Sequence, residues 1–186
     1  MKLKNLILMF LMLSNSVLFS QSSSTNTKMT NSALMLKTTK AFQIKSENKI
    51  LEFYDLLNVV GSPSLKLEVR VNSIIEILKF FKDKNVKIPN FIEDENKEII
   101  LQEFLTKVAK SKQKIYFETQ NMIFSSLQEI DGIKFWTVSY GLNIIIGNQK
   151  SNKNINHNIS LLQEEKYFGG IKKTVQNCNF TAIRLK

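Results

Sequence analysis

Cys178 and His157 are the single cysteine and the single histidine of the chain, and they are the one thiol and imidazole pair that it offers for catalysis. A thiol activated by an imidazole attacks acyl groups, and Glu164 or Glu165 could orient the ring. However, His157 lies in a polar stretch, Cys178 lies between two asparagines, and neither has a glycine-rich or oxyanion-hole signature beside it. The sequence therefore predicts no catalytic residues, and a hydrolase using this pair is the alternative hypothesis.

Metal and cofactor motifs give no stronger signal. One histidine and one cysteine are too few for a zinc site of the usual kind. The acidic residues 93–95 lack the spacing of a calcium-binding loop. Gly169 and Gly170 precede two lysines, but the spacing matches neither a P-loop nor a dinucleotide fingerprint. The sequence predicts neither a metal nor a cofactor.

Three aromatic residues in predicted strands, Tyr116, Trp136 and Tyr140, are the candidates for a ligand-binding groove. Phe135 and Trp136 are neighbours in one predicted strand, so their side chains point to opposite faces of the sheet. At least one of them should therefore belong to the core. A groove lined by such rings would bind a protein partner or a small apolar ligand.

The positive charge of the chain is unevenly distributed. The formal net charge is +10, but residues 1–46 carry six lysines and no acidic residue, and the remainder is only mildly basic. Arg70 and Arg184 are the only arginines, whereas bidentate recognition of phosphates and bases favours arginine. We therefore expect no nucleic-acid partner.

The N-terminal segment has the pattern of a secretory signal peptide. Lys2 and Lys4 precede an apolar run that is too short to span a membrane and that ends in the small residue Ser20. Residues 1–20 are predicted to be removed, leaving no transmembrane span. Residues 21–40 are predicted to be a disordered polar leader, and residues 41–186 a single globular domain that is secreted or periplasmic.

Hydrophobic periodicity and capping signals predict the elements of the first half of the domain. Ser46 can cap a helix that begins at Glu47, and Gly61 and Pro63 should end it. The alternation of leucine and valine with charged residues predicts a strand from Ser64 to Val71. Further helices are predicted from about Ile74 to Lys84 and from about Lys97 to Lys110, the latter with Ile100, Leu101, Phe104, Leu105 and Val108 facing inward.

The second half is predicted to contain an antiparallel meander from about residue 114 to 147. Asp131–Gly132 lies between Ile130 and Ile133 and is the signal of a two-residue hairpin turn, in which glycine supplies the positive φ. A polar loop is predicted for residues 147–158. Ser160 and Gln163 have capping-box spacing, which predicts a helix to about Gln176. Residues 180–185 are predicted to form a last strand.

This order of elements predicts an α+β fold with a largely antiparallel sheet and helices on one or both faces. The stretch from Leu101 to Val175, a helix, strands around EIDGIKFWTVSYG and a closing helix, resembles the α/β/α sandwiches of the PsbP kind. That resemblance implies a fold and no site residues. By elimination, the sequence favours an exported, non-enzymatic binding domain. The other alternative is a surface-associated structural protein with a lysine-bearing leader.

Overall fold

The computed structural model of the chain describes residues 22–93 and 97–186. By their internal contacts, the described residues divide into two units, with the boundary between Phe42 and Gln43. The predicted signal peptide, residues 1–20, lies outside the described residues. In the described residues, the elements in chain order are helices α1 (Ser22–Val60) and α2 (Leu67–Leu78), strands β1 (Lys87–Pro89) and β2 (Glu98–Ile100), helix α3 (Leu101–Lys110), and strands β3 (Ile115–Phe124), β4 (Gln128–Ile130), β5 (Ile133–Ile146), β6 (Gln149–Phe168) and β7 (Ile171–Leu185).

The predicted α+β fold with an antiparallel sheet is confirmed. Five strands form the main sheet in the order β3, β5, β6 and β7, with β4 paired to the start of β5, and all of these pairs are antiparallel. Strands β1 and β2 form a separate two-stranded sheet. The meander extends well beyond the predicted end at residue 147, because the segments predicted as loop and helix are strands.

One face of the main sheet packs against helices. The Tyr54 ring on α1 lies 5.9 Å from the Tyr140 ring on β5, and the Phe104 ring on α3 lies 6.5 Å from the Phe117 ring on β3. Phe53, also on α1, is 1% exposed. Complete burial of each such ring contributes roughly 1.5–3 kcal/mol. We call this the inner face and the opposite side of the sheet the open face.

Several local predictions are confirmed. Helix α1 ends at Val60, directly before Gly61. Leu101, Phe104, Leu105 and Val108 are buried on α3, although Ile100 is exposed and the helix begins at Leu101 rather than Lys97. Asp131 and Gly132 have φ angles of 52° and 75° and join β4 to β5, as the hairpin signal predicts.

Helix α1 is longer than the sequence predicts. It begins at Ser22, so the described part of the predicted leader, residues 22–40, is helical, and Ser46 is an internal buried residue rather than an N-cap. The prediction of disorder rests on polar composition. Residues 22–60 contain neither glycine nor proline, and extending an existing helix gains one hydrogen bond per residue.

The strand predicted at residues 64–71 is wrong, since residues 67–78 form helix α2. Leu67, Val69 and Val71 are exposed, and the buried residues are Arg70, Ser73 and Ile77, which share one side of the helix. The Arg70 guanidinium donates hydrogen bonds to the carbonyls of Val60, at 2.9 Å, and Ala109. Arginine is thus the anchor of this segment, because it satisfies carbonyls that the ends of α1 and α3 leave unpaired.

The loop predicted at residues 147–158 and the helix predicted at residues 160–176 are also wrong. Both belong to the long hairpin of β6 and β7, whose turn is Gly169–Gly170 with φ angles of 56° and 82°. Two glycines with positive φ suit a tight hairpin turn, and they are costly inside a helix. Without the closing helix, residues 101–175 lack the layer that would make them an α/β/α sandwich.

Candidate functional site

The three predicted groove residues do not come together. Trp136 is 0% and Tyr140 is 3% exposed on the inner face, where they belong to the core. Tyr116 is 39% exposed and pairs with Ile145, a position on the open face. There, Tyr116 lines a shallow cavity of about 300 Å³ together with Lys114, whose Nζ lies 5.9 Å from the centre of the Tyr116 ring. No shared aromatic groove joins these three side chains.

A buried hydrogen-bonded chain connects Tyr54, Tyr140 and His157. The two tyrosine hydroxyls are 3.0 Å apart, and the Tyr140 hydroxyl lies 3.1 Å from His157 Nδ1. Burial raises the pKa of both tyrosines above their usual value and lowers the pKa of His157 to about 3. All three groups are therefore neutral at neutral pH. Within the described part of the chain, His157 Nε2 has no hydrogen-bond partner.

His157 and Cys178 are not placed as a catalytic pair. His157 pairs with Ile183 on β7, whereas Cys178 pairs with Leu161, four residues further along β6, which corresponds to about 13 Å of strand. Along β7, Phe180 lies between Cys178 and Ile183, the residue that pairs with His157. The centres of the Phe180 and His157 rings are 4.0 Å apart. Cys178 Sγ instead accepts a hydrogen bond from Ser46 Oγ at 3.5 Å. A thiol and an imidazole in these positions cannot exchange a proton directly.

The open face carries a row of asparagines. Asn152, Asn154, Asn156 and Asn158 occupy every second position of β6, so their side chains project on the same side of the sheet. Three of them are hydrogen-bonded to side chains on β5: Thr137 Oγ1 donates to Asn158 at 2.9 Å, Ser139 Oγ donates to Asn156 at 2.8 Å, and Asn152 Nδ2 donates to Asn143 at 2.8 Å. These pairs form a polar ladder across the two strands.

The ladder is interrupted at Gly141. This residue pairs with Asn154, and because glycine has no side chain, nothing from β5 stands across from the Asn154 amide. The gap opens a cleft of about 550 Å³ on the open face, within the size range of small-ligand sites. Its polar lining includes Gln120, Asn121, Ser139, Asn152, Asn154 and Lys186.

A β-bulge shapes one wall of this cleft. The pairing of β3 with β5 shifts between Gln120 and Ile123, and Asn121 there has a φ of 53°. Bulges turn side chains away from the regular alternation and are frequent next to binding sites, and asparagine tolerates positive φ better than most residues. Ile123, which is 68% exposed, adds an apolar edge to the cleft. The bulge thus brings an amide and an apolar side chain to the same opening.

The cleft has the chemistry of a neutral hydrogen-bonding site. Each asparagine or glutamine amide offers a carbonyl acceptor and two N–H donors, and Lys186 is the cation among the lining residues. The Glu118 carboxylate, which does not line the cleft, accepts a hydrogen bond from Asn143 Nδ2 at 3.0 Å. The arrangement can hold a ligand that both donates and accepts hydrogen bonds.

A sequence signal for this site exists in residues 152–158, in which asparagine alternates with lysine, isoleucine and histidine. A period of two indicates a strand with one polar face, but the polar composition of the stretch predicts a loop instead. Two of the three aromatic residues that the sequence predicts as ligand-binding, Trp136 and Tyr140, lie on the inner face instead. The floor of the cleft depends on the register of Gly141 against Asn154, which the sequence alone does not show.

Among the helices formed by the described residues, none combines the length and apolar character that crossing a membrane requires. Comparison of the chain with protein-family models, with curated proteins and with solved structures found no match in any of the three.

Proposed function

We propose that this protein is an exported, non-enzymatic binding domain that holds a neutral, hydroxyl-rich ligand, such as a segment of a glycan, on the open face of its sheet. The observation that carries the proposal is the cleft at Gly141, where the polar ladder is interrupted and amide side chains line the gap. The signal peptide expected from the sequence would bring the domain to compartments in which polysaccharides are exposed.

Amide groups suit this kind of ligand because a sugar hydroxyl is also both a donor and an acceptor. An anionic ligand would favour several cations, and an apolar ligand would favour an aromatic lining. The cleft instead offers amides from two strands, Gln120 and Asn121 at the bulge of β3 and Asn152 and Asn154 on β6, with one apolar edge at Ile123. The ladder pairs beside it hold Ser139 and Asn152 in fixed orientations, which reduces the entropy lost on binding.

Filling the cleft should abolish binding without unfolding the sheet. A Cβ built at Gly141 lies 3.8 Å from the Gln120 carbonyl oxygen and 3.9 Å from Asn152 Nδ2, which are ordinary contacts. Gly141→Gln therefore places a side chain in the ligand's space at little cost to the backbone. We expect at least a tenfold loss of affinity, equivalent to about 1.4 kcal/mol, for the best-binding member of a panel of neutral oligosaccharides, measured by titration calorimetry.

Two further variants make this experiment specific. Asn154→Leu removes one amide at similar volume and should weaken binding about three- to tenfold, as expected for one or two lost hydrogen bonds. Ala182→Gln is the matched control, because it adds the same side chain next to Asn158, on the same face but outside the cleft. Equal affinities for the parent protein and Gly141→Gln, or no binding of any oligosaccharide by the parent, would contradict the proposal.

A further inference from the structure

The hairpin of β6 and β7 projects beyond the rest of the sheet. Strand β5 pairs with β6 only as far as Leu161, opposite Lys134, whereas β6 and β7 continue to pair as far as Phe168 and Ile171. Residues 162–168 and 171–177 therefore form a two-stranded ribbon that extends about 23 Å past the last β5 pair. Its outer half is exposed on all sides.

The end of this ribbon carries apolar side chains that contact little of the protein. Tyr167, Phe168 and Ile171 are 71%, 51% and 63% exposed and flank the Gly169–Gly170 turn. We call residues 166–173 the hairpin tip. Single exposed apolar residues are common, but three of them clustered at the end of a two-stranded ribbon, which is only marginally stable alone, indicate a binding surface.

The charges of the hairpin tip favour an anionic partner. The tip contains Lys166, Lys172 and Lys173 and no acidic residue. Glu164 and Glu165 lie one step further from the turn, where they form ion pairs with Lys166, at 3.6 Å, and Lys172, at 2.7 Å. These pairs are exposed and therefore weak, so the lysines can exchange them for other anions at small cost.

The same end of the sheet carries a second apolar turn. Ile130 and Ile133, which flank the hairpin turn between β4 and β5, are 59% and 46% exposed. Lys134 follows directly and pairs with Leu161, at the base of the projecting ribbon. Two hairpin turns with apolar flanks and adjacent lysines therefore lie at one end of the sheet.

We propose that the hairpin tip docks onto the surface of an anionic lipid bilayer. Aromatic side chains concentrate at the level of the headgroups, and lysines beside them attract anionic lipids. Among the described residues, no further strand pairs with the outward-facing amides and carbonyls of this ribbon, so they must stay hydrated. The tip therefore inserts only to headgroup depth, with Tyr167, Phe168 and Ile171 at the boundary with the acyl chains. This inference is independent of the cleft at Gly141.

The test uses the full chain and vesicles of phosphatidylcholine, with and without phosphatidylglycerol, in a sedimentation assay. We expect the parent to bind the anionic vesicles and to be released by high salt, because exposed charges are screened. The triple variant Tyr167→Ser, Phe168→Ser and Ile171→Ser should lose at least tenfold in partition coefficient. The matched control replaces Leu67, Val71 and Ile75, which are also exposed apolar residues but lie on α2, by serine and should bind as the parent does.

A local readout separates the hairpin tip from any contribution of the lysine-bearing N-terminal segment. The buried Trp136 gives a constant background, so in a Phe168→Trp variant the added fluorescence should be quenched by lipids brominated near the headgroup. Absence of that quenching, or vesicle binding that is equal in the parent and the triple serine variant, would overturn the proposal. A dimer in lipid-free buffer that depends on the tip would also overturn it in favour of a second copy as the partner. Gly141→Gln should leave vesicle binding unchanged.

Discussion

Acidification should destabilise this protein through His157, whose side chain is fully buried. Burial lowers the pKa of His157 to about 3 in the folded protein, whereas the ordinary value is 6.5. Between these two values the unfolded chain binds a proton that the folded protein does not, so stability falls as the pH falls from 6.5 towards 3. At about 1.4 kcal/mol for each pH unit, we expect a loss of about 2–3 kcal/mol at about pH 4.5.

The physical cause is the surroundings of the imidazole. Rings of Phe53, Phe81 and Phe180 pack around it, and its hydrogen-bond neighbour, the Tyr140 hydroxyl, also contacts Tyr54. None of these groups carries a charge that could compensate an imidazolium ion in a dry site. Protonation therefore requires either unfolding or the entry of water.

Urea unfolding of the parent and of His157→Gln at about pH 7.5 and about pH 4.5 measures this effect. Glutamine keeps a hydrogen-bonding group near Tyr140 but does not titrate, so the variant should be less stable at neutral pH and should lose less stability on acidification. The carboxylates titrate in both proteins, and the difference between the two pH dependences isolates the histidine. The same loss on acidification in both proteins would show that His157 is not responsible.

The second large effect is expected at Gly61, between α1 and β3. A Cβ built at this position would overlap the carbonyl oxygen of Ile115, which is a backbone atom. The Ile115 amide donates a hydrogen bond to the Gly61 carbonyl at 2.9 Å, so the two segments cannot separate without losing it. We expect Gly61→Ala to destabilise the protein by about 3 kcal/mol or more, since both the helix end and the strand must move.

Gly141→Ala is the matched control for Gly61→Ala. Its added Cβ meets only ordinary contacts, at 3.8 Å and beyond. It should change the free energy of unfolding by less than about 1 kcal/mol, and replacing glycine by alanine also lowers the entropy of the unfolded chain. Thermal and urea unfolding of both variants gives the comparison. Equal stabilities would mean that the two segments approach each other less closely than the structure indicates.

The parts of the fold that the sequence predicts are those with strong local signals. The sequence predicts a helix end at Gly61 because glycine is common just past a helix C-terminus, although Gly61 lacks the positive φ of that cap and is instead needed for its close approach to Ile115. Asp131–Gly132 forms a hairpin because both residues tolerate positive φ. The inward face of α3 follows from the spacing of its apolar residues. The hairpin turn and the inward face of α3 depend on a few neighbouring residues, so tertiary contacts have little opportunity to override them.

The errors occur where long-range contacts decide the structure. Residues 67–71 alternate as a strand would, but Arg70 is buried against the carbonyls of Val60 and Ala109, which lie elsewhere in the chain. Ser160 and Gln163 have the spacing of a capping box, but they pair with Asn179 and Gln176 across a hairpin. Tertiary pairing outweighs propensities worth less than about 1 kcal/mol per residue.

The candidate site shows the same limit. Tyr116, Trp136 and Tyr140 are predicted as ligand-binding residues because of their chemistry, but the strand register puts two of them in the core. The cleft at Gly141 depends on the pairing of Gly141 with Asn154 and on the bulge after Gln120, both of which are set by strand register. The alternating asparagines indicate a polar face, but the gap in that face requires the structure.

The central claim is that the cleft at Gly141 binds hydroxyl-rich ligands, and mapping by nuclear magnetic resonance tests it most directly. Backbone amide shifts of the isotope-labelled protein would be followed during titration with the tightest-binding neutral oligosaccharide of the panel. Our account predicts concentration-dependent shifts confined to residues 120–123, 139–141 and 152–154, and their loss in Gly141→Gln. Shifts that cluster elsewhere, or spectra that stay unchanged throughout the titration, would contradict it.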